Sequence, residues 1–136
     1  MVRSIYSVLI LLLFAGVFPG FVSAAPLKTG NPAPDFALAS LEGKTVKLSD
    51  YKGQIVVLGL FHICEPCRQQ GEILQSVGRK LQDKGVRIIG VNAEGDSRED
   101  VQEFVKTFET GMTFPYLVDP SNSVSDLYSV RITPNI

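Results

Sequence analysis

An α/β fold around a mostly parallel sheet is what this sequence predicts, and three observations predict it. Ile55-Val56-Val57-Leu58-Gly59-Leu60-Phe61 and Val86-Arg87-Ile88-Ile89-Gly90-Val91 are apolar, β-branched runs of the kind that buried parallel strands show. After each run the apolar residues switch to helical spacing, with Ile73, Leu74, Val77 and Leu81 on one stretch and Val101, Phe104, Val105 and Phe108 on the next. The connections are short, so strand and helix alternate around one sheet.

Taken in order, residues 1–24 read as a signal peptide. Arg3 precedes the apolar run Ile5–Phe18, no charged residue occurs from Ser4 to Leu27, and Val22-Ser23-Ala24 places small residues where a signal peptidase cuts. Ile5–Val22 is also long enough for an uncleaved anchor, although Pro19 and Gly20 break its end. Either way the domain is expected outside the cytoplasm, with contact to the membrane only through that anchor. Residues 25–34, with three prolines, are an extended linker, and 35–136 form the single domain. Phe36-Ala37-Leu38 and Thr45-Val46-Lys47-Leu48 flank a Glu42-Gly43 hairpin turn, and Ser49–Gly53 turns into the first apolar strand. The first helix runs from about Arg68 to near Gly85. Ser97, with Asp100 three residues on, caps the second, which Gly111 stops. Phe114–Val118 is a strand, Asp119-Pro120 a turn, and Ser123 caps a short helix through Tyr128. Thirteen basic against fourteen acidic residues, with no basic stripe, exclude nucleic acid as a partner.

The chemistry lies in Cys64-Glu65-Pro66-Cys67, which holds the only two cysteines. Between a strand and a helix, the first thiol stands over a helix N-terminus, where free N–H groups and the helix dipole stabilise a thiolate. A structural zinc site needs four ligands, and the chain adds one histidine, His62. Haem attachment needs CxxCH, and position 68 is Arg. A disulfide staple here would close a very short loop, worth roughly 2 kcal/mol at most. A thiol–disulfide redox centre needing no cofactor is therefore favoured over metal binding or an inert remnant. Glu65 sets a negative charge beside Cys64, opposing its thiolate and making the pair a reductant. Pro66 fits the first helical turn, where its missing N–H is not needed. His62 has two candidate tasks, lowering the thiol pKa or holding copper together with both thiolates as in a periplasmic metal carrier, beside the favoured reading of a loop histidine with no special task.

Asn31-Pro32-Ala33-Pro34-Asp35-Phe36, Gly43-Lys44-Thr45-Val46-Lys47-Leu48-Ser49-Asp50, the apolar strand, Cys64-Glu65-Pro66-Cys67-Arg68, Phe114-Pro115 and Tyr128-Ser129-Val130-Arg131-Ile132-Thr133-Pro134 carry a resemblance. Together they resemble TlpA/ResA-type thioredoxin-fold proteins of the AhpC/TSA-redoxin superfamily. The resemblance implies an extracytoplasmic thiol–disulfide oxidoreductase, often acting on apocytochrome c thiols, with a protein thiol or disulfide as substrate and a membrane electron donor upstream. It implies that Pro134 is cis and stands with Thr133 beside the CxxC, where substrate backbone pairs. Cys64 is read as the nucleophile and Cys67 as the resolving thiol; Ile63 and Phe61 are candidates for apolar contacts to the partner, with core packing the favoured role for Phe61.

The chain departs from the family pattern. Ile63 replaces the usual Trp, the segment 59–63 looks one residue short, Gln70 stands where many relatives have Glu, and Glu72 stands where a helix proline is common. A thioredoxin fold continues after the cis-proline with two antiparallel strands and a helix, whereas this sequence stops at Ile136. The domain is accordingly expected to lack those elements, to leave the 55–60 strand as an apolar edge, and to hold the Thr133–Pro134 segment loosely. An inactive truncated fragment is one alternative. A peroxiredoxin-like thiol peroxidase is another, disfavoured because Phe61 occupies the position of the required Thr.

Overall fold

The computed structural model describes residues 27–136. The signal-peptide or anchor expectation for residues 1–24, and the start of the linker, lie outside the described residues. Five strands and three α-helices follow in the order β1 (Ala37–Ser40), β2 (Thr45–Lys47), β3 (Ile55–Phe61), α1 (Glu65–Leu81), β4 (Val86–Asn92), α2 (Arg98–Lys106), β5 (Tyr116–Val118) and α3 (Ser123–Leu127). The sheet order is β2-β1-β5-β4-β3. β3, β4 and β5 run parallel, while the β1–β2 hairpin joins antiparallel to β5.

β4 lies between β3 and β5 and is covered on both faces, which is why its sequence is apolar at almost every position. Its side chains alternate between two cores. Ile88 joins Phe61, Leu74, Val101 and Phe104 under α1 and α2, while Ile89 and Val91 join Leu60, Leu117 and Val124 on the other face. β3 is equally apolar but sits at the sheet edge, and its first residue, Ile55, is 63% exposed. Among the described residues β3 is the last strand of the sheet. The expected looseness after Thr133 is corrected, because Asn135 exchanges both backbone hydrogen bonds with Leu60, at 2.8 and 2.9 Å. That antiparallel bridge hangs the Thr133–Pro134 segment, whose peptide bond is cis, beside the C-terminal end of β3.

The buried stripe of α1 differs from the sequence reading. Ile73 is 56% exposed, and the inward face is Cys67, Gly71, Leu74 and Gln75. Glycine is required where another element comes close. A Cβ on Gly71 would stand 2.4 Å from Cε1 of Phe108, and one on Gly78 2.9 Å from Cγ1 of Ile88. Gln75 is buried because it ties α1 to the segment after α2, donating to Thr110 and to the Gly111 carbonyl and accepting from the Thr113 N–H at 2.7 Å. α1 also starts at Glu65, earlier than Arg68, so Cys64 itself is the N-cap.

Ser97 caps α2 as expected, accepting from the Asp100 N–H at 3.1 Å. The helix ends at Lys106, before Gly111, and Phe108 packs as a buried residue beyond it. Ser123 is the first residue of α3 and not its cap. The buried Asp119 carboxylate takes that work, accepting from the Val124 N–H at 2.7 Å and from the hydroxyls of Ser121 and Ser123.

Candidate functional site

β3 ends at Phe61 and α1 begins at Glu65, so His62, Ile63 and Cys64 cross from sheet to helix at the C-terminal end of the parallel strands. Loops at this end are where α/β sheets place their chemistry. Cys64 has extended N-cap geometry (φ −154°, ψ 157°), and its half-buried Sγ accepts from the Cys67 N–H at 3.3 Å. Pro66 lies in the first turn of α1, where no N–H is missed. Cys67 is fully buried one turn on, and its Sγ accepts from the His62 N–H, also at 3.3 Å. Both cysteines are free thiols. Each sulfur therefore faces a backbone N–H, one from the helix and one from the crossing segment.

Burial pushes the Cys67 thiol up to about 11, and the hydrogen bond and charge of Cys64 push the same way. The His62 N–H and the Thr133 hydroxyl act in the opposite direction. Thr133 is half-buried and its hydroxyl lies 3.4 Å from Glu94. The buried phenol of Tyr116, stacked on Phe61 at 5.8 Å between ring centres, is likewise held neutral by burial and by the neighbouring Cys67. Phe61 is 1% exposed, so it is a core residue with no surface to offer a partner.

Glu65 carries its charge in a pair. Arg68 donates to both of its carboxylate oxygens, at 2.7 and 2.9 Å, and Gln69 adds a third bond at 2.9 Å. These donors, Arg68 first, hold the Glu65 carboxyl down at about 2. Arg68 reaches Glu72 as well, at 2.7 Å. The negative charge expected beside Cys64 is thus matched by a guanidinium one helical turn away. Ile63 lines a cavity of about 350 Å³ beside Cys64, with Phe104 of α2 and its C-cap Thr107, and with Glu65 and Arg68.

His62 is held by its ring. Its Nδ1–H donates to Asp96 at 2.9 Å, so the ring is engaged by a carboxylate. Among the described residues no three His, Cys, Asp or Glu side chains come together to hold a metal. Asp96 also accepts from Nδ2 of the buried Asn92 at 2.8 Å. Sequence reasoning missed Asn92, Asp96 and Tyr116. The first two follow from the register of the sheet: β3 and β4 are parallel neighbours with Phe61 opposite Asn92, so the residues just past both strands meet.

A strand-to-helix CxxC with a half-buried N-cap thiol, a fully buried partner thiol and a cis-proline segment hung beside them defines a thioredoxin-like redox fold. The sequence model of the AhpC/TSA family matches residues 29–135, and the chain belongs to that family. It is 33% identical over 115 residues to the thiol-disulfide oxidoreductase ResA of Geobacillus thermodenitrificans, covering 84% of this chain and 64% of the relative. To a ResA of Bacillus cereus it is 31% identical over 139 residues, covering 97% and 79%. The chain spans 64% and 63% of the lengths of the first curated relatives it matches. Among solved structures it is similar to a Chlorobium tepidum protein assigned as the thiol:disulfide interchange protein DsbE, with TM-score 0.73, 33% identity and coverage of 79% and 74%. It is also similar to the thioredoxin domain of a Bacteroides vulgatus thiol-disulfide oxidoreductase, with TM-score 0.69, 26% identity and coverage of 79% and 78%.

Proposed function

We propose that the protein is a thiol–disulfide oxidoreductase that reduces protein disulfides through Cys64 and Cys67. The observation that carries the reading is the asymmetry of the two sulfurs. One is accessible at a helix N-cap, and the other is buried one turn behind it, within one hydrogen bond of the first residue's neighbours. The Cys64 thiolate attacks a partner disulfide, one partner sulfur leaves as a thiolate, and a mixed disulfide forms. Cys67 gives up its proton and attacks Cys64 Sγ, releasing the second partner thiol and leaving Cys64–Cys67 oxidised. The partner gains two electrons, and a donor upstream, expected in the membrane, returns them.

The reducing direction is supported by Cys67, where burial denies the reduced pair a stabilised thiolate. Ile63 with Phe104 supplies apolar surface beside Cys64, and Thr133–Pro134 supplies backbone on the other side. Action outside the cytoplasm rests on the pattern of residues 1–24, and apocytochrome c thiols are the substrate class that the family resemblance implies.

The test is reduction of insulin by the full chain with dithiothreitol, run beside peroxide consumption and a copper titration. Insulin reduction is expected to exceed the dithiothreitol background. Cys67→Ser is expected to trap a mixed disulfide that Cys64→Ser does not. Background-level reduction, or equal trapping by the two variants, refutes the assignment.

A further inference from the structure

We infer that Asp96 is a positioning residue for the resolving step, holding His62 so that its backbone N–H stays aimed at the Cys67 sulfur. The inference rests on the oxidoreductase reading above. The N–H in question belongs to the crossing segment, in the peptide whose opposite end, the Phe61 carbonyl, accepts from the Ala93 N–H at 3.0 Å. The parallel ladder ends at the Phe61–Asn92 pair, and α1 begins at Glu65. Within that crossing, His62 makes one backbone bond to its own segment, where its carbonyl accepts from the Cys64 N–H at 3.0 Å. Beyond that peptide its anchor to the rest of the fold is the ring, which donates from Nδ1 to Asp96 at 2.9 Å. Asp96 is held in turn by Nδ2 of Asn92, a fully buried residue of the interior strand β4. A continuous series therefore runs from the rigid sheet through Asn92, Asp96 and His62 to Cys67 Sγ.

That bond has a task in the reaction. When Cys67 loses its proton to solvent and attacks Cys64 Sγ, negative charge develops on a buried sulfur, and an aligned N–H stabilises it. A hydrogen bond to a charged group is stronger than one between neutral groups, so misaligning it slows resolution by about tenfold. The attack by Cys64 on a disulfide does not use this bond and keeps its rate.

Both steps are separable with 5,5′-dithiobis(2-nitrobenzoate) and the fully reduced full chain. A concentration-dependent phase reports attack by Cys64, which releases one thionitrobenzoate and leaves the other bound to Cys64. A concentration-independent phase reports Cys67 attacking Cys64 Sγ, breaking that mixed disulfide and releasing the second thionitrobenzoate. In Asp96→Ala the second phase is expected to slow about tenfold with the first unchanged. Asp96→Asn, which keeps an acceptor oxygen for both Asn92 and His62, is expected to restore most of the rate. His62→Ala is expected to match Asp96→Ala, with no further loss in the double variant. A wild-type resolution rate in Asp96→Ala, equal slowing of both phases, or failure of Asp96→Asn to rescue overturns the positioning role. Absence of the second phase from the wild-type protein instead overturns the oxidoreductase reading on which it rests.

Discussion

Stability of the reduced protein above neutral pH should depend on Cys67 in a way that can be isolated. The side chain is fully buried, and its thiol titrates at about 11 in place of the ordinary 9.0. In the unfolded chain the same thiol returns to the ordinary value. Between those two pKa values the unfolded chain has released a proton that the folded protein still holds, so rising pH favours unfolding. The contribution is fully present below about pH 9 and is lost as pH rises through about 11. A shift of that size corresponds to roughly 2–3 kcal/mol. Replacing Cys67 with Ala removes the linkage and also leaves a small void, so the comparison is of slopes and not of absolute stabilities. Lysines, and the tyrosines away from Cys67, titrate in both proteins and cancel in the difference. Because the chain has no Trp, urea unfolding of the reduced proteins is followed by circular dichroism, in steps from about pH 7 to about pH 11. The wild-type protein is expected to lose about 2–3 kcal/mol more than Cys67→Ala across that range. Parallel curves would show that the buried thiol carries no such linkage.

Gly71→Ala sets a Cβ against the 4%-exposed Phe108 ring and is expected to cost about 1–3 kcal/mol, despite the better helix propensity of alanine. An unchanged or raised melting temperature would show that the ring has room to move. Arg68→Gln removes the guanidinium that compensates Glu65 and is expected to slow alkylation of Cys64 by neutral iodoacetamide severalfold. An unchanged rate would show that the Glu65 charge does not reach the sulfur.

The sequence by itself determined the features set by short-range pattern. The runs at 55–61 and 86–92 are strands because their composition suits a buried pleated surface, and the Cys64–Cys67 spacing puts one thiol at a helix start and the other a turn inward. The cap at Ser97 was legible for the same reason, since a cap and its helix are covalent neighbours. What only the tertiary structure decided depends on groups far apart in the chain. The inward face of α1 follows glycines whose partners, Phe108 and Ile88, belong to other elements, so counting apolar residues chose Ile73 wrongly. The charge of Glu65 was legible, but its neutralisation depends on which way Arg68 folds back. The Asn92–Asp96–His62 series exists because parallel pairing sets Phe61 opposite Asn92, and no local periodicity encodes that register. Period and spacing are read along the chain. The position of a buried sulfur, and of the N–H that serves it, is fixed by strands that meet only once the sheet has formed.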